Sequence, residues 1–234
     1  MKTICFIFIF SVKLKDRCYI ISSVLPLAFL GFAAFCSSSL IWRLFRMTND
    51  DILKCFTDAG ALLEGHFKLR SGLHSNRFFQ AALLLQHPDV AQKLCSILAQ
   101  KFKNLGITAV ISPAVGGLIV GHELAKALGV RAIFADKEND QLILKRGFVI
   151  GKNEKILVGE DVITRGGRVQ QTIDLVRNLG GQVAGIAVIV DRSMGNASFD
   201  IPHQSLLQLE LNTYEPESCP LCADGIELER PGSK

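Results

Sequence analysis

"ILVGEDVITRGGRV", Ile156 to Val169, joins a short apolar run to two adjacent acids, a threonine and a Gly-Gly turn flanked by arginines. The apolar run reads as a buried strand, and "RVQQTIDLVRNLGG", which follows, reads as a helix stopped by glycine. Glu160 and Asp161 then stand at the carboxyl end of the strand, and Thr164 to Arg168 form the turn into the helix. A glycine-rich turn at a helix N-terminus lets backbone N–H groups approach an anion, and the helix dipole favours negative charge there. Two carboxylates beside it can accept hydrogen bonds from vicinal hydroxyls, so the pair of features suits a ribose phosphate. The competing reading is that the acids cap the next segment and the glycines only turn the chain. Neither GxGxxG nor GxxxxGK[ST] occurs, which argues against a dinucleotide fold or a P-loop.

Outward from this stretch, strand and helix patterns alternate. Asp50 to Ala59 is amphipathic, with Ile52, Leu53 and Phe56 on one face and Asn49 or Asp50 as the expected cap. Pro88 to Leu105 carries Val90, Leu94, Ile97, Leu98 and Phe102 at helical spacing. "ITAVISPAVGG" is a strand entering a turn, "LIVGHELAKALG" a helix ending at Gly129, and "VRAIFADKE" a strand. "KRGFVI" reads as a strand near a loop, and "KILVGED" and "QVAGIAVIVDR" as strands. This alternation predicts an α/β fold, a mostly parallel twisted sheet with helices on both faces. Ligands bind such sheets at the carboxyl ends of the strands.

The 234 residues, 49% hydrophobic and 21% charged, suffice for one domain with a full core. Residues 1–46 hold six Lys/Arg and one acid, leaving 26 − 6 = 20 bases and 22 − 1 = 21 acids for residues 47–234. The body is near neutral and offers no nucleic-acid footprint. Seven cysteines, odd in number and thinly spread, make no disulfide framework and suit a reducing cytoplasm. The first 46 residues differ in kind. From Tyr19 to Trp42 none is charged, a run long enough to span a bilayer, yet Pro26 interrupts it and serines dilute it. Either this extension is a membrane segment, or Met47 is the true start and the upstream residues come from an over-extended reading frame. On both readings residues 47–234 form the domain.

Specific motifs extend the first reading. "VGEDVITRGG" resembles the phosphoribosyl-pyrophosphate (PRPP) loop of type I phosphoribosyltransferases, and "EGHFKLRSGLHSNRFFQ", Glu64 to Gln80, resembles the amino-terminal signature of the orotate phosphoribosyltransferases. The likeness to a bacterial subgroup continues through "SPAVGG", "FADKE", "IVDRS" and "CPLC", from Met47 to about Glu229. The resemblance implies the type I phosphoribosyltransferase fold with a small hood region, a homodimer, and the conversion of orotate and PRPP to orotidine 5′-monophosphate and pyrophosphate with Mg²⁺ bound mainly through PRPP. Carried over by position, Glu160 and Asp161 hold the ribose hydroxyls, and Val162, Ile163, Thr164, Arg165, Gly166, Gly167 and Arg168 complete the PRPP loop around the 5′-phosphate. Lys137 reaches the pyrophosphate, and Arg70, Phe78, Phe79, Thr164 and Arg192 face orotate. With Glu160 and Asp161, Lys137 is the expected catalytic set.

The sequence also departs from the pattern. Arg165 and Arg168 stand where small residues are usual, Gly116 and Asp136 where many relatives have lysine and arginine, and the mobile loop expected between Lys137 and Lys145 is short, which makes Lys145 a second candidate for the loop lysine. Two other readings on the same fold stay open: a purine or xanthine phosphoribosyltransferase, and a catalytically silent nucleotide-sensing relative. His66 and His74 receive no acid or base role. Cys219 and Cys222 form one C-x-x-C, half of a zinc site without a visible second half, so local packing or a family-specific structural role is expected there in place of a metal.

Overall fold

A computed structural model describes residues 47–69 and 71–231 in full and the backbone of residues 8–14 and 17–23. The chain divides into two compact units, Met1–Arg46 and Met47–Lys234. In the first, β1 (Phe8–Leu14) and β2 (Arg17–Ser23) pair antiparallel, with Phe8 opposite Ser23. The uncharged run from Tyr19 begins within β2, and its remainder, residues 24–42, lies outside the described residues. Among the described residues no helix is long and apolar enough to cross a membrane.

The second unit starts with α1 (Asn49–Asp58), which buries Ile52 and Phe56. Its cap is Thr48, one residue ahead of the expected Asn49 or Asp50. The Thr48 hydroxyl accepts from the Asp51 backbone N–H at 3.2 Å, and the Asp51 carboxylate accepts from the Thr48 N–H at 2.8 Å, a reciprocal box that satisfies two donors at once. Next come β3 (Leu62–Lys68) and β4 (His74–Phe79), an antiparallel hairpin, then the short α2 (Ala81–Leu85) and α3 (Pro88–Gln100). The α-helical part of α3 stops earlier than the apolar spacing predicts, but Phe102 beyond it still enters the core.

The main sheet is built from β5 (Ala109–Pro113), β6 (Arg131–Glu138), β7 (Gln141–Leu144), β8 (Lys155–Ile163), β9 (Gln182–Asp191) and β10 (His203–Gln208). Their order is β10-β9-β8-β5-β6-β7, parallel throughout except for β7, which returns antiparallel to β6. Helices α4 (Gly117–Leu128) and α5 (Gly167–Asn178) make the crossovers from β5 to β6 and from β8 to β9. "KRGFVI" is not a strand. The edge strand is Gln141–Leu144, because Asn139 and Asp140 turn the chain at positive φ (47° and 63°) directly after β6, and Arg146 and Gly147 make a second turn. A two-residue turn of this kind matches the twist of a hairpin.

Successive residues of the central strands serve opposite faces. On β8, Ile156 and Val158 join one core with Val169, Ile173 and Val176 of α5, while Leu157 joins the other with Leu94 and Leu98 of α3 and Leu124 of α4. Each fully buried Leu, Ile or Val contributes about 1.5–3 kcal/mol relative to exposure, and burial on both faces explains why these strands read as unbroken apolar runs. A smaller sheet, β11-β4-β3, forms the hood; β11 (Thr213–Tyr214) brings the C-terminal segment against β4, with Tyr214 opposite His74.

Candidate active site

Strand β8 carries the acids to the carboxyl edge of the sheet and continues through Ile163, two residues further than the pattern suggests. Glu160 is buried, and its Oε1 accepts the Asp161 backbone N–H at 3.1 Å; Asp161 Oδ1 accepts the Val162 N–H at 2.8 Å. Burial, reinforced by the neighbouring Asp161 carboxyl, pushes the Glu160 carboxyl up to about 9, while Arg168 pulls in the opposite direction. At neutral pH the pair therefore holds a proton, and one negative charge fewer faces the site.

After Ile163 the chain turns through Thr164, Arg165 and Gly166 into α5, so Gly167 and Arg168 belong to the first helical turn. Gly166 has φ +77°, and a Cβ there would lie 2.8 Å from Phe199 Cζ; both the dihedral and the space demand glycine. The N-terminus of α5 thus opens onto the acid pair with free N–H groups. Across the gap, β5 ends at Pro113 and the chain passes Ala114 and Gly116 into α4. A Cβ at Gly116 would lie 2.8 Å from Asp161 Oδ2, so a side chain at this position requires the Asp161 carboxylate to swing aside. These segments enclose a cavity of about 260 Å³ lined by Glu160, Asp161, Val162, Ile163, Thr164, Gly166, Gly167 and Arg168 of the predicted loop, with Pro113, Ala114 and Gly116 opposite. Arg165 is exposed and outside this lining; Arg168 lies within it and donates to Gln171 at 3.0 Å.

Arg192 follows β9. Its backbone N–H donates to Ile163 O at 2.8 Å, which ties it to the end of β8, and its side-chain Nε is buried without a partner among the described residues. Asp191, a buried strand end, accepts the Ser193 N–H at 2.8 Å and faces His203 at 3.3 Å, fixing the turn that carries Arg192. Lys137 lies on β6 and pairs with Asp140 at 2.5 Å; Lys145 pairs with Glu138 at 2.7 Å. The segment between them is the β6–β7 hairpin, and Gln171 of α5 reaches its tip by donating to Asp140 O at 3.3 Å.

The hood aromatics part company because neighbouring strand residues face opposite ways. Phe79 packs on Phe56 in the core with ring centroids 5.4 Å apart, whereas Phe78 is half-buried beside Phe67. Phe79 is a core residue here, which leaves Phe78 as the aromatic candidate; Arg70 lies outside the described residues.

Residues 80–201 match the phosphoribosyl transferase domain family. The orotate phosphoribosyltransferase of Pelotomaculum thermopropionicum is 51% identical over 188 residues, 80% of this chain and 99% of that protein. The chain belongs to the orotate phosphoribosyltransferase family. A second relative within this family, the enzyme of Desulforamulus reducens, is 48% identical over 188 residues, 80% of this chain and 98% of its own. Solved structures share the fold: the orotate phosphoribosyltransferase of Aeropyrum pernix has a TM-score of 0.58 at 24% identity over 67% of this chain and 92% of its own, and that of Mycobacterium tuberculosis with inorganic phosphate 0.56 at 19% over 69% and 95%. The type I phosphoribosyltransferase architecture expected from the motifs is the one observed.

One grouping was not visible in the sequence. His66 of β3 and His74 of β4 meet Cys219 and Cys222, and one nitrogen or sulfur atom from each lies within 4.8 Å of the others. No local pattern announces this, since 153 residues separate His66 from Cys219.

Proposed function

We infer that the chain transfers the phosphoribosyl group of PRPP to orotate, giving orotidine 5′-monophosphate and pyrophosphate in pyrimidine synthesis. Membership of the family supports the reaction. The observation that carries the site is the meeting of Glu160 and Asp161 with the open N-terminus of α5 in one cavity. In this reading the N–H groups at Gly166, Gly167 and Arg168, with the Thr164 hydroxyl, hold the 5′-phosphate, and the acids accept from the ribose hydroxyls. A ring nitrogen of orotate bonds to the anomeric carbon as the bond to pyrophosphate breaks, the proton of that ring N–H leaving to solvent, and positive charge builds on the ribose. Glu160 and Asp161 face that charge as it develops. Lys137 neutralises pyrophosphate once it exchanges Asp140 for the substrate, and Arg192, whose Nε lacks a partner among the described residues, binds the orotate carboxylate in a fork, with Phe78 as the aromatic neighbour and Arg70 carried over from the family resemblance.

Mg²⁺ fits the oxygen-rich wall made by Glu160, Asp161 and Thr164, hard donors suited to a cation held mainly by PRPP. When bound it would offset the charge of the leaving pyrophosphate. A cytoplasmic location, a homodimer, and a catalytic domain confined to residues 47–234 belong to the same proposal, on the strength of the thinly spread cysteines, the family resemblance and the coverage of the motifs. The test follows PRPP-dependent loss of orotate absorbance with hypoxanthine, xanthine and uracil offered in competition. Turnover of orotate alone is the expected result; turnover of a purine instead, or of no base, overturns the reading.

A further inference from the structure

The hood holds a second constellation, away from the cavity of the acid pair. His66 is 1%, His74 4% and Cys219 4% exposed, and Cys222 closes the group from the outer side. The distances are 3.0 Å from His66 Nε2 to His74 Nδ1, 3.5 Å from Cys219 Sγ and 3.7 Å from Cys222 Sγ to His66 Nε2, and 3.3 Å from Cys222 Sγ to His74 Nδ1. A tetrahedral zinc ion with ordinary Zn–N and Zn–S bonds requires edges of about 3.3 Å between nitrogens, about 3.6 Å between nitrogen and sulfur and about 3.8 Å between sulfurs. These four edges fall within about 0.4 Å of those values, and the two remaining, from Cys219 to Cys222 and to His74, lie within 4.8 Å, so closing the tetrahedron draws the Cys219 thiol inward.

The surroundings favour a metal over a packed cluster. The His66 Nδ1–H donates to Ile226 O at 2.8 Å, which fixes the tautomer with the Nε2 lone pair turned into the group. Without an ion, two imidazoles and two thiols are pressed together with few acceptors of their own. Two nitrogens and two sulfurs in a closed tetrahedron select zinc among the common divalent cations, and a full set of four protein ligands leaves no open position for catalysis.

We propose that His66, His74, Cys219 and Cys222 bind one zinc ion, which fastens the C-terminal segment to the hood hairpin. Binding expels the two thiol protons to solvent and requires no change of oxidation state. The ligands come from β3, β4 and the start of α6 (Pro220–Ala223), so the ion adds to a short backbone link: β11 is two residues long, and Glu229 bridges to β3, accepting from the Lys68 N–H at 2.9 Å and donating to His66 O at 2.8 Å. Since β3 and β4 flank Arg70 and carry Phe78, the ion positions the orotate side of the site without touching substrate.

The measurement is metal content of the untagged full chain, purified without chelator, by plasma mass spectrometry, which is independent of turnover and so leaves the proposed activity untouched if it fails. Wild type should carry about one zinc per chain and the Cys219→Ser/Cys222→Ser variant below about a tenth of that. Replacement of zinc by Co²⁺ in wild type should give strong visible bands and a thiolate-to-cobalt charge-transfer band, a reading that stands even where the double variant fails to fold. A Cys222→Ser enzyme, altered at the exposed ligand, should show a KM for orotate raised severalfold with the KM for PRPP little changed. Wild type that takes up neither zinc nor cobalt, or a double variant that keeps its zinc, overturns the site; an unchanged KM for orotate in a zinc-free Cys222→Ser enzyme overturns its positioning role.

Discussion

Replacing Glu160 by glutamine isolates the consequence of burying a carboxyl beside a second one. The unfolded chain releases the Glu160 proton near the ordinary 4.5, whereas burial and Asp161 hold it in the folded chain up to about 9. Between those values the folded state carries one proton more than the unfolded state. This group's contribution to stability is therefore full below the unfolded value and drains away as pH rises through the folded one, by about 1.4 kcal/mol per pH unit. From pH 6 to pH 8 the loss is about 3 kcal/mol, which at a urea dependence of about 2 kcal/mol per molar lowers the midpoint by about 1–2 M. Glu160→Gln keeps an acceptor for the Asp161 N–H, now 3.1 Å from Oε1, but cannot titrate. Urea unfolding followed by circular dichroism, without PRPP or Mg²⁺, should show the wild-type midpoint falling between pH 6 and 8 by about 1–2 M more than the variant's. Other groups cancel in the comparison. Parallel falls in the two proteins would refute the raised carboxyl, and with it the proton held by the pair.

Three further outcomes are expected. Asp161→Asn removes a charged acceptor at the ribose position, and steady-state turnover should fall about tenfold to a thousandfold; a near-normal rate returns the acids to a capping role. Gly166→Ala forces an L side chain to φ +77° and into Phe199, so a thermal melt should show a loss of about 1–3 kcal/mol together with weaker PRPP binding by calorimetry. Lys137→Ala should raise the KM for PRPP and slow turnover with the melting temperature unchanged, since its partner Asp140 is 89% exposed; a larger effect in Lys145→Ala would move the loop role there.

The sheet was legible because its signals are local. Ile156 to Val158 on β8 and Ile186 to Val190 on β9 are apolar on both faces, and Gly129 ends α4 at φ +70° where the pattern places it. The PRPP loop was legible for the same reason, its acids and glycines being consecutive. What failed depended on neighbours distant in sequence or on one-residue choices. Thr48 caps α1 because Asp51 can answer it, and "KRGFVI" loses its strand to a turn already made at Asn139. Phe79 looked equivalent to Phe78 until strand alternation sent it to Phe56. The His–Cys cluster gathers four residues from both ends of the domain, so only the fold could assemble it.

The approach of Gly116 to Asp161 bears on how this enzyme can drift. A single methyl there would meet Asp161 Oδ2 at 2.8 Å, although residue 116 itself brings no functional group. The orientation of the acid therefore depends on a residue outside the set of polar side chains, because any side chain at position 116 sets where the Asp161 carboxylate can lie. A bulkier residue there, such as the lysine found in many relatives, requires that carboxylate to swing aside, a movement open to the end of a side chain but not to backbone.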